Sequence, residues 1–374
     1  MRRRLEMEAA QIEAVLRSHR IPGRVWGGTV LPRVIRFELT TAMGTRVRQI
    51  NNLAEEIAMA LGVRSARVYR SGSKIHIEIP RERPGQVKLL SLCQRLKRVP
   101  PLTAVLGIDD AGVPLLLKIP SPDVVHVLIA GTSGSGKTAL LRSILLSLAL
   151  YNPQAQLQLV LLDPKGRGLA PLFDLPHLLF PPARDPEAVA EILNLLVEEM
   201  GRRDREQRST PCIIVAVDEL ADLIEAGGAL VASGIRRLAQ RGREAGIHLV
   251  AATQKPTAAA VGSLAKANFP VRLVGAVTTP EEAKIATGLA GSGAEKLLGK
   301  GDFLLVSHGQ TWRFQAAYIP TDQASEVVHR LYRGPFRSPQ QALADMDKHR
   351  SLLRRTRDLF SREVARIDRD EVLR

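Results

Sequence analysis

Gly131, Thr132, Ser133, Gly134, Ser135, Gly136, Lys137 and Thr138 match the pattern G-x-x-x-x-G-K-[ST]. Residue types in this order suit one task, the wrapping of phosphate groups. Glycines let backbone N–H groups close around phosphate oxygens, where any side chain would block the approach. Lys137 brings a positive charge to the β- and γ-phosphates of a nucleoside triphosphate, and Thr138 offers a hydroxyl to magnesium. A helix starting at Lys137 would also point its positive end at the phosphates.

Two further sites fall at the ends of apolar runs. The run from Cys212 to Val217 ends in Asp218 and Glu219. A carboxylate at a strand end beside the phosphate loop can hold magnesium through water, which assigns Asp218 to the metal with Thr138. A second carboxylate directly after it can orient and activate the attacking water, which assigns Glu219 as catalytic base. The run 247–252 ends in Thr253 and Gln254, polar groups placed to touch the γ-phosphate or that water. Alone, an Asp-Glu pair is a helix N-terminal charge and Thr-Gln an ordinary turn. Behind a phosphate loop, the catalytic reading is favoured. Together the three sites predict ATP as nucleotide and Mg2+ as its metal, with Lys137 and Glu219 in catalytic roles.

The elements that would position these residues form an α/β pattern. Short undivided apolar runs at 124–130, 157–162, 213–217, 247–252 and 271–277 suit strands covered on both faces. Helical stretches between them imply βαβ crossovers and a mostly parallel sheet behind the P-loop. A smaller α+β region precedes it. Residues 33–40 alternate as a strand, and 66–70 and 74–79 read as two more. In the last of these Ile75, Ile77 and Ile79 face one way, with Lys74, His76 and Glu78 toward solvent. Between them Val47, Ile50, Leu53, Ile57 and Leu61 recur at helical spacing, which predicts one helix over 45–63. The expected organisation is a helical segment at 1–23, a small α+β domain with linker at 24–101, a RecA-like domain at 102–325 and a helical tail at 326–374.

The 374 residues include 45% hydrophobic and 24% charged types, enough to bury a core and too balanced for bulk disorder. Lysine plus arginine number 53 against 38 acidic residues, a net charge of +15 that favours a polyanionic partner. Aromatics are only 4%, which argues for phosphate contacts rather than base stacking. Cys93 and Cys212 make neither a disulfide framework nor a zinc site and fit a reducing compartment, so a cytoplasmic location is expected. Arg2, Arg3 and Arg4 are followed by Glu6 and Glu8 with no apolar stretch, so no signal peptide is expected. Nor is any run long and apolar enough for a membrane span.

Beyond the phosphate loop, the sequence resembles the motor region of the FtsK/SpoIIIE DNA translocases. The resemblance rests on DPK at 163–165, PHLL at 176–179, VDELAD at 217–222, GIHLV at 246–250, ATQKP at 252–256, KANFP at 266–270 and GAEKLLGKGD at 293–302, in the family's order. RFEL at 36–39 and NLAEEI at 52–57 resemble the family's small α domain. The likeness covers roughly residues 25–320.

The resemblance implies an ATP-driven translocase of double-stranded DNA, acting as a hexameric ring around the duplex with ATP between subunits. It also implies an arginine from the adjacent subunit that completes each site. By position in the motif run Arg272 matches that finger, with Arg243 as the second candidate. The family's membrane region and winged-helix domain are not read here, residues 338–374 being too short for the latter, so DNA binding with little sequence preference is expected. Lys165 and Arg167 form one candidate DNA-contacting cluster, and Arg202, Arg203, Arg205 and Arg208 another. Each has solvated surface as its plain alternative. Related ring motors for plasmid transfer or protein secretion share every ATP motif. A DNA-binding regulator that merely senses ATP would have no use for Glu219.

Overall fold

In the computed structural model of the chain, residues 2–32, 34–42, 45–72, 74–81, 85–256 and 259–333 are described. Of these, the residues up to Val87 with Asp110–Val113 form one compact unit, and Lys88–Asp109 with the residues from Pro114 onward form a second. The helices expected within 338–374 lie outside the described residues.

The first unit opens with α1 (Arg2–Ser18). Ala9, Ile12 and Leu16 recur at three- to four-residue spacing and are buried on one face of it. Then come β1 (Gly23–Val30), β2 (Val34–Thr41), α2 (Val47–Asn51), α3 (Ala54–Ala60), β3 (Arg67–Ser71) and β4 (Lys74–Pro80). The four strands pair antiparallel in the order β1-β2-β4-β3. Ile12, Leu16, Phe37, Leu39, Ile50, Ile57, Ile77 and Ile79 belong to one hydrophobic core.

Three details differ from the sequence reading. The helix expected over 45–63 is broken at Asn52 and Leu53 into α2 and α3. Asn51 and Asn52 are weak helix formers whose side chains compete for the backbone. Strand β1 had no alternating signal, because Gly27 and Gly28 interrupt it and its register with β2 shifts between Val25 and Gly28. Glu78 does not face solvent. It is buried, accepting from Arg36 Nε at 3.1 Å and from Tyr69 Oη at 2.9 Å, so long side chains cover the outer face of β4.

The second unit follows β5 (Val87–Lys88) and begins with α4 (Leu89–Arg95). Its further elements are β6 (Thr103–Asp109), β7 (Pro114–Lys118), β8 (Val127–Ala130), α5 (Lys137–Tyr151), β9 (Leu157–Leu162), α6 (Pro186–Glu206), β10 (Cys212–Asp218) and α7 (Leu220–Arg241). Then come β11 (Ile247–Thr253), α8 (Ala259–Asn268), β12 (Val271–Val274), α9 (Pro280–Thr287), β13 (Asp302–Ser307), β14 (Gln310–Tyr318) and α10 (Thr321–Arg333).

The strand order is β7-β6-β14-β13-β12-β8-β11-β10-β9. Strands β9, β10, β11, β8 and β12 run parallel to one another, as the undivided apolar runs required. From β12 outward, β13, β14, β6 and β7 pair antiparallel, so the sheet is mixed. This flank was silent in the sequence reading. Its strands are joined by tight hairpins, and β14 carries exposed residues over its first half. On the parallel side, α6 and α7 pack together over Val160, Leu162, Val215 and Val217. Asp185 caps α6 by accepting from Ala188 N at 2.8 Å, with Pro186 in its first turn.

Candidate nucleotide and phosphoryl-transfer site

Sheet register gathers the candidate residues at one edge. Ala130, the last residue of β8, lies level with Thr253 on β11 and with Val274 on β12. One strand further, Asp218 on β10 lies level with Ala252. All are C-terminal ends of parallel strands, where an α/β sheet opens a crevice for ligands.

The phosphate loop leaves β8 and enters α5 through glycines at φ 147° (Gly131), 78° (Gly134) and 105° (Gly136), values that side chains rarely adopt. Gly136 is the N-cap of α5, so the helix starts at Lys137. Nearly every residue of α5 from Leu140 to Leu150 is buried, which fixes the loop to a rigid base. Lys137 is itself buried and arches back, its Nζ donating to Thr132 O at 2.8 Å. Burial lowers the pKa of this ammonium, while Glu219 and Asp218 pull it back up.

Two segments outside the motif brace the loop. Residues 275–277 were expected to continue β12. Instead the strand stops at Val274, and Ala276 O accepts from Thr132 N at 2.8 Å and from Thr132 Oγ1 at 3.0 Å. On the other side Lys300 N donates to Gly134 O at 3.2 Å and Gly301 N to Ser135 O at 2.8 Å. That turn is held by Asp302, which accepts from Leu298 N at 2.8 Å and takes a two-point bond from Arg313 at 2.9 and 2.8 Å. This turn is the GKGD at 299–302. Two glycines flanking one residue ahead of an aspartate are a tight-turn signal that marks this support.

Thr138 and Asp218 meet directly, Oγ1 donating to Oδ1 at 2.9 Å. Burial raises the Asp218 pKa, and the Thr138 hydrogen bond opposes that shift. Gly168 lies against this pair, so close that a Cβ there would collide with Asp218 Oδ2 and Thr138 Cγ2. The loop bearing Gly168 is shaped by buried Asp163, which accepts from Gly166 N at 3.0 Å and Leu169 N at 2.9 Å. A hydroxyl and a carboxylate brought together in this way are oxygen donors of the kind a hard divalent cation takes.

Glu219 follows in the left-handed region, φ 76° and ψ 72°, unusual for a residue with a side chain. Its Oε1 accepts from Thr253 Oγ1 at 3.0 Å and from Gln254 N at 2.9 Å. Thr253 and Gln254 are expected to face phosphate or water; the Thr253 hydroxyl and the Gln254 backbone amide engage the Glu219 carboxylate, and the Gln254 side chain is exposed. Asp222, in the first turn of α7, accepts from Lys165 Nζ at 2.8 Å and Lys255 Nζ at 3.4 Å. The Lys165 hydrogen bond holds the Asp222 carboxyl below its usual range.

The arginine candidates lie apart from this edge. Arg272 sits two residues before the end of β12, half-buried, donating to Ile285 O at 3.4 Å and Ala286 O at 3.3 Å near the end of α9. Arg243 is exposed in the turn before β11, at the opposite end of the parallel strands. In the Arg202–Arg208 cluster, Arg203 must be withdrawn as a DNA contact. It is 2% exposed, bonded to Glu199 at 2.7 Å, Pro211 O at 2.8 Å and Ala245 O at 2.9 Å. It ties the end of α6 to the starts of β10 and β11. Arg202 and Arg208 pair with Glu199 and Glu206, while Arg167 and Arg205 are exposed.

A mixed α/β sheet with this loop at its parallel edge is a P-loop ATPase fold. Solved structures agree in fold. The pCW3 conjugation coupling protein TcpA, determined as a monomer with ATPγS, superposes with TM-score 0.59 at 19% identity, covering 87% of this chain and all of that one. The cytoplasmic domain of the Thermomonospora curvata type VII secretion ATPase EccC does so with TM-score 0.56 at 22% identity, over 69% and 36%.

Sequence comparisons are more specific. The FtsK/SpoIIIE family signature matches residues 88–206 and 202–258, and the FtsK alpha domain signature matches residues 1–81. DNA translocase FtsK of Staphylococcus aureus (strain Mu50) is 33% identical over 353 residues, covering 85% of this chain and 44% of that protein. DNA translocase SftA of Bacillus subtilis (strain 168) is 32% identical over 357 residues, covering 87% and 37%. The chain belongs to the FtsK/SpoIIIE family. It spans less than half the length of these relatives. No helix among the described residues is long and apolar enough to cross a membrane.

Proposed function

We propose that this chain hydrolyses ATP and couples the reaction to movement of double-stranded DNA. The observation that carries the reading is the meeting of Lys137, the Thr138–Asp218 pair and Glu219 at one sheet edge, with Thr138 Oγ1 2.9 Å from Asp218 Oδ1. The cargo is supported by relatives bearing the name DNA translocase and by the net charge of +15.

In this reading the backbone N–H groups of the 131–136 loop and the Lys137 ammonium bind the phosphates. Thr138 and Asp218 would hold Mg2+, which when bound would supply positive charge against the charge that develops on the phosphates. Glu219 orients the attacking water and receives its proton. The protein works in the cytoplasm as a homo-oligomeric ring, six subunits by resemblance. Arg272 of one subunit serves as the finger for the next site, with Arg243 as the alternative. Arg272 would then leave the carbonyls of α9, so finger insertion and the end of α9 would be coupled.

The test is steady-state ATPase with and without a long linear duplex, for wild type and Lys137→Ala. Strong stimulation by duplex, lost in the variant, is expected. Turnover indifferent to duplex at every salt concentration would overturn the DNA assignment and leave an ATPase with another cargo, such as a secreted protein.

A further inference from the structure

We propose that Thr253 is a positioning residue for Glu219. Its hydroxyl and the Gln254 amide together hold the catalytic carboxylate in one orientation. This inference rests on the ATPase reading above and deepens it, giving the third strand end a defined partner in place of direct contact with phosphate.

The direction of the hydrogen bonds is fixed by counting protons. Thr253 is fully buried, and its Oγ1 accepts from Lys255 N at 3.2 Å. A hydroxyl has one proton to give. With Lys255 N pointing at the oxygen, that proton goes to Glu219 Oε1, 3.0 Å away. The Gln254 amide adds a shared bond, 2.9 Å to Oε1 and 3.2 Å to Oε2. Thr253 Oγ1 and Gln254 N therefore converge on one carboxylate that is only 4% exposed at the residue level.

The backbone of Glu219 needs the same strand end. Its left-handed conformation is one that residues with side chains hold only when neighbours impose it. Glu219 N donates to Ala252 O at 3.1 Å, so β11 grips Glu219 by main chain and side chain at once. Removing the Thr253 donor takes one of two bonds from Glu219 Oε1 and leaves the carboxylate held by the Gln254 amide alone, about which it can pivot. Water activation depends on where the carboxylate points, whereas phosphate binding depends on the loop at 131–138. Loss of the donor therefore separates turnover from binding.

The experiment measures kcat and KM for ATP, and ATPγS affinity, in wild type, Thr253→Val, Thr253→Ala and Thr253→Ser. Val and Ala should lower kcat by about 10- to 100-fold, with KM and ATPγS affinity within about 2-fold of wild type. Ser, which keeps the donor, should restore most of the rate. In a Glu219→Gln background, Thr253→Val should cause no further loss, because Thr253 acts through Glu219. Wild-type kcat in both Val and Ala would overturn the proposal. So would an equal loss of ATPγS affinity, a Ser variant as slow as Ala, or an additive loss on Glu219→Gln. A wild-type protein that hydrolyses no ATP would instead overturn the ATPase reading on which the proposal stands.

Discussion

Thr138 Oγ1 lies 2.9 Å from Asp218 Oδ1, joining the first residue pair of α5 to the last residue of β10 across 80 positions of sequence. Both elements are rigid. Residues 212–218 are buried along their whole length, and α5 is buried on most of its circumference. The pair is thus held by the sheet and its covering helix rather than by a loose loop, as a site needing sub-ångström order requires.

On the proposed assignment of Asp218 to Mg2+, metal binding should be pH-sensitive. Burial raises its pKa above the ordinary 3.8, with Thr138 opposing. Protonation removes the charge that a cation needs. The Mg2+ concentration for half-maximal turnover should therefore rise as pH falls, beginning above the range where a solvated aspartate titrates. By linkage, a carboxyl with a raised folded pKa makes the ligand-free fold more stable as pH falls through that pKa. Magnesium titrations at several pH values check the first effect, and Asp218→Asn should abolish the pH dependence.

Glu219→Gln should bind nucleotide normally and turn it over about 10²- to 10⁴-fold more slowly, the usual contribution of a general base. Glutamine can still accept from Thr253 and Gln254 through its amide oxygen, so the turn after β10 keeps its shape. Parallel measurements of ATPγS binding and steady-state hydrolysis would detect the split. A variant with near-wild-type turnover would remove Glu219 from the base role.

Gly168→Ala should damage the same site from outside the motifs. The added Cβ collides with Asp218 Oδ2 and Thr138 Cγ2. Forced repacking of this kind costs about 1–3 kcal/mol. Thermal unfolding should shift down, and Mg2+ affinity should weaken more than affinity for nucleotide alone. Unchanged Mg2+ dependence would mean that the 163–168 loop does not border the metal position.

Arg203→Ala should unfold the protein more readily rather than weaken DNA binding. Glu199 is partly exposed and keeps Arg202 and Arg208, so the loss comes from the packing of the buried guanidinium and its bonds to carbonyls, about 1–3 kcal/mol. Arg203 also satisfies Pro211 O and Ala245 O, which would be left bare. Arg205→Ala, at an exposed position on the same helix, should leave stability within about 0.5 kcal/mol of wild type. Urea denaturation distinguishes them, and the salt dependence of duplex binding should be the same in Arg203→Ala as in wild type.

Arg313→Met should loosen the phosphate loop from behind. Arg313 and Asp302 form a buried two-point pair that shapes the turn donating to Gly134 O and Ser135 O. Breaking it leaves Asp302 buried without its cation, a loss of about 3–5 kcal/mol in stability. Where the variant remains folded, KM for ATP should rise more than kcat falls, because the phosphate cradle is what moves. Calorimetry and ATPase kinetics on the same preparation check both parts.

Much of this was legible in the chain. The run Gly131–Thr138, the acid pair at 218–219 and the apolar strands before them read directly, because a phosphate cradle and a doubly covered strand each tolerate few residue types. Elements with weaker demands did not read. The hairpins β6–β7 and β13–β14 join the sheet through the pairing of β6 with β14, about 200 residues apart in the chain, and the break between α2 and α3 turns on two asparagines within a good helical period.

The sequence by itself determined which residues can do phosphate chemistry and that a parallel sheet must present them, since both follow from local spacing and side-chain type. Only the tertiary structure decided their company. It gave Thr253 to Glu219, braced the phosphate loop with Ala276 and the turn at 299–301, and buried Arg203 among carbonyls. Each of these depends on which strand ends and helix ends meet, and sheet order fixes that between residues too distant in sequence for any local pattern to carry it.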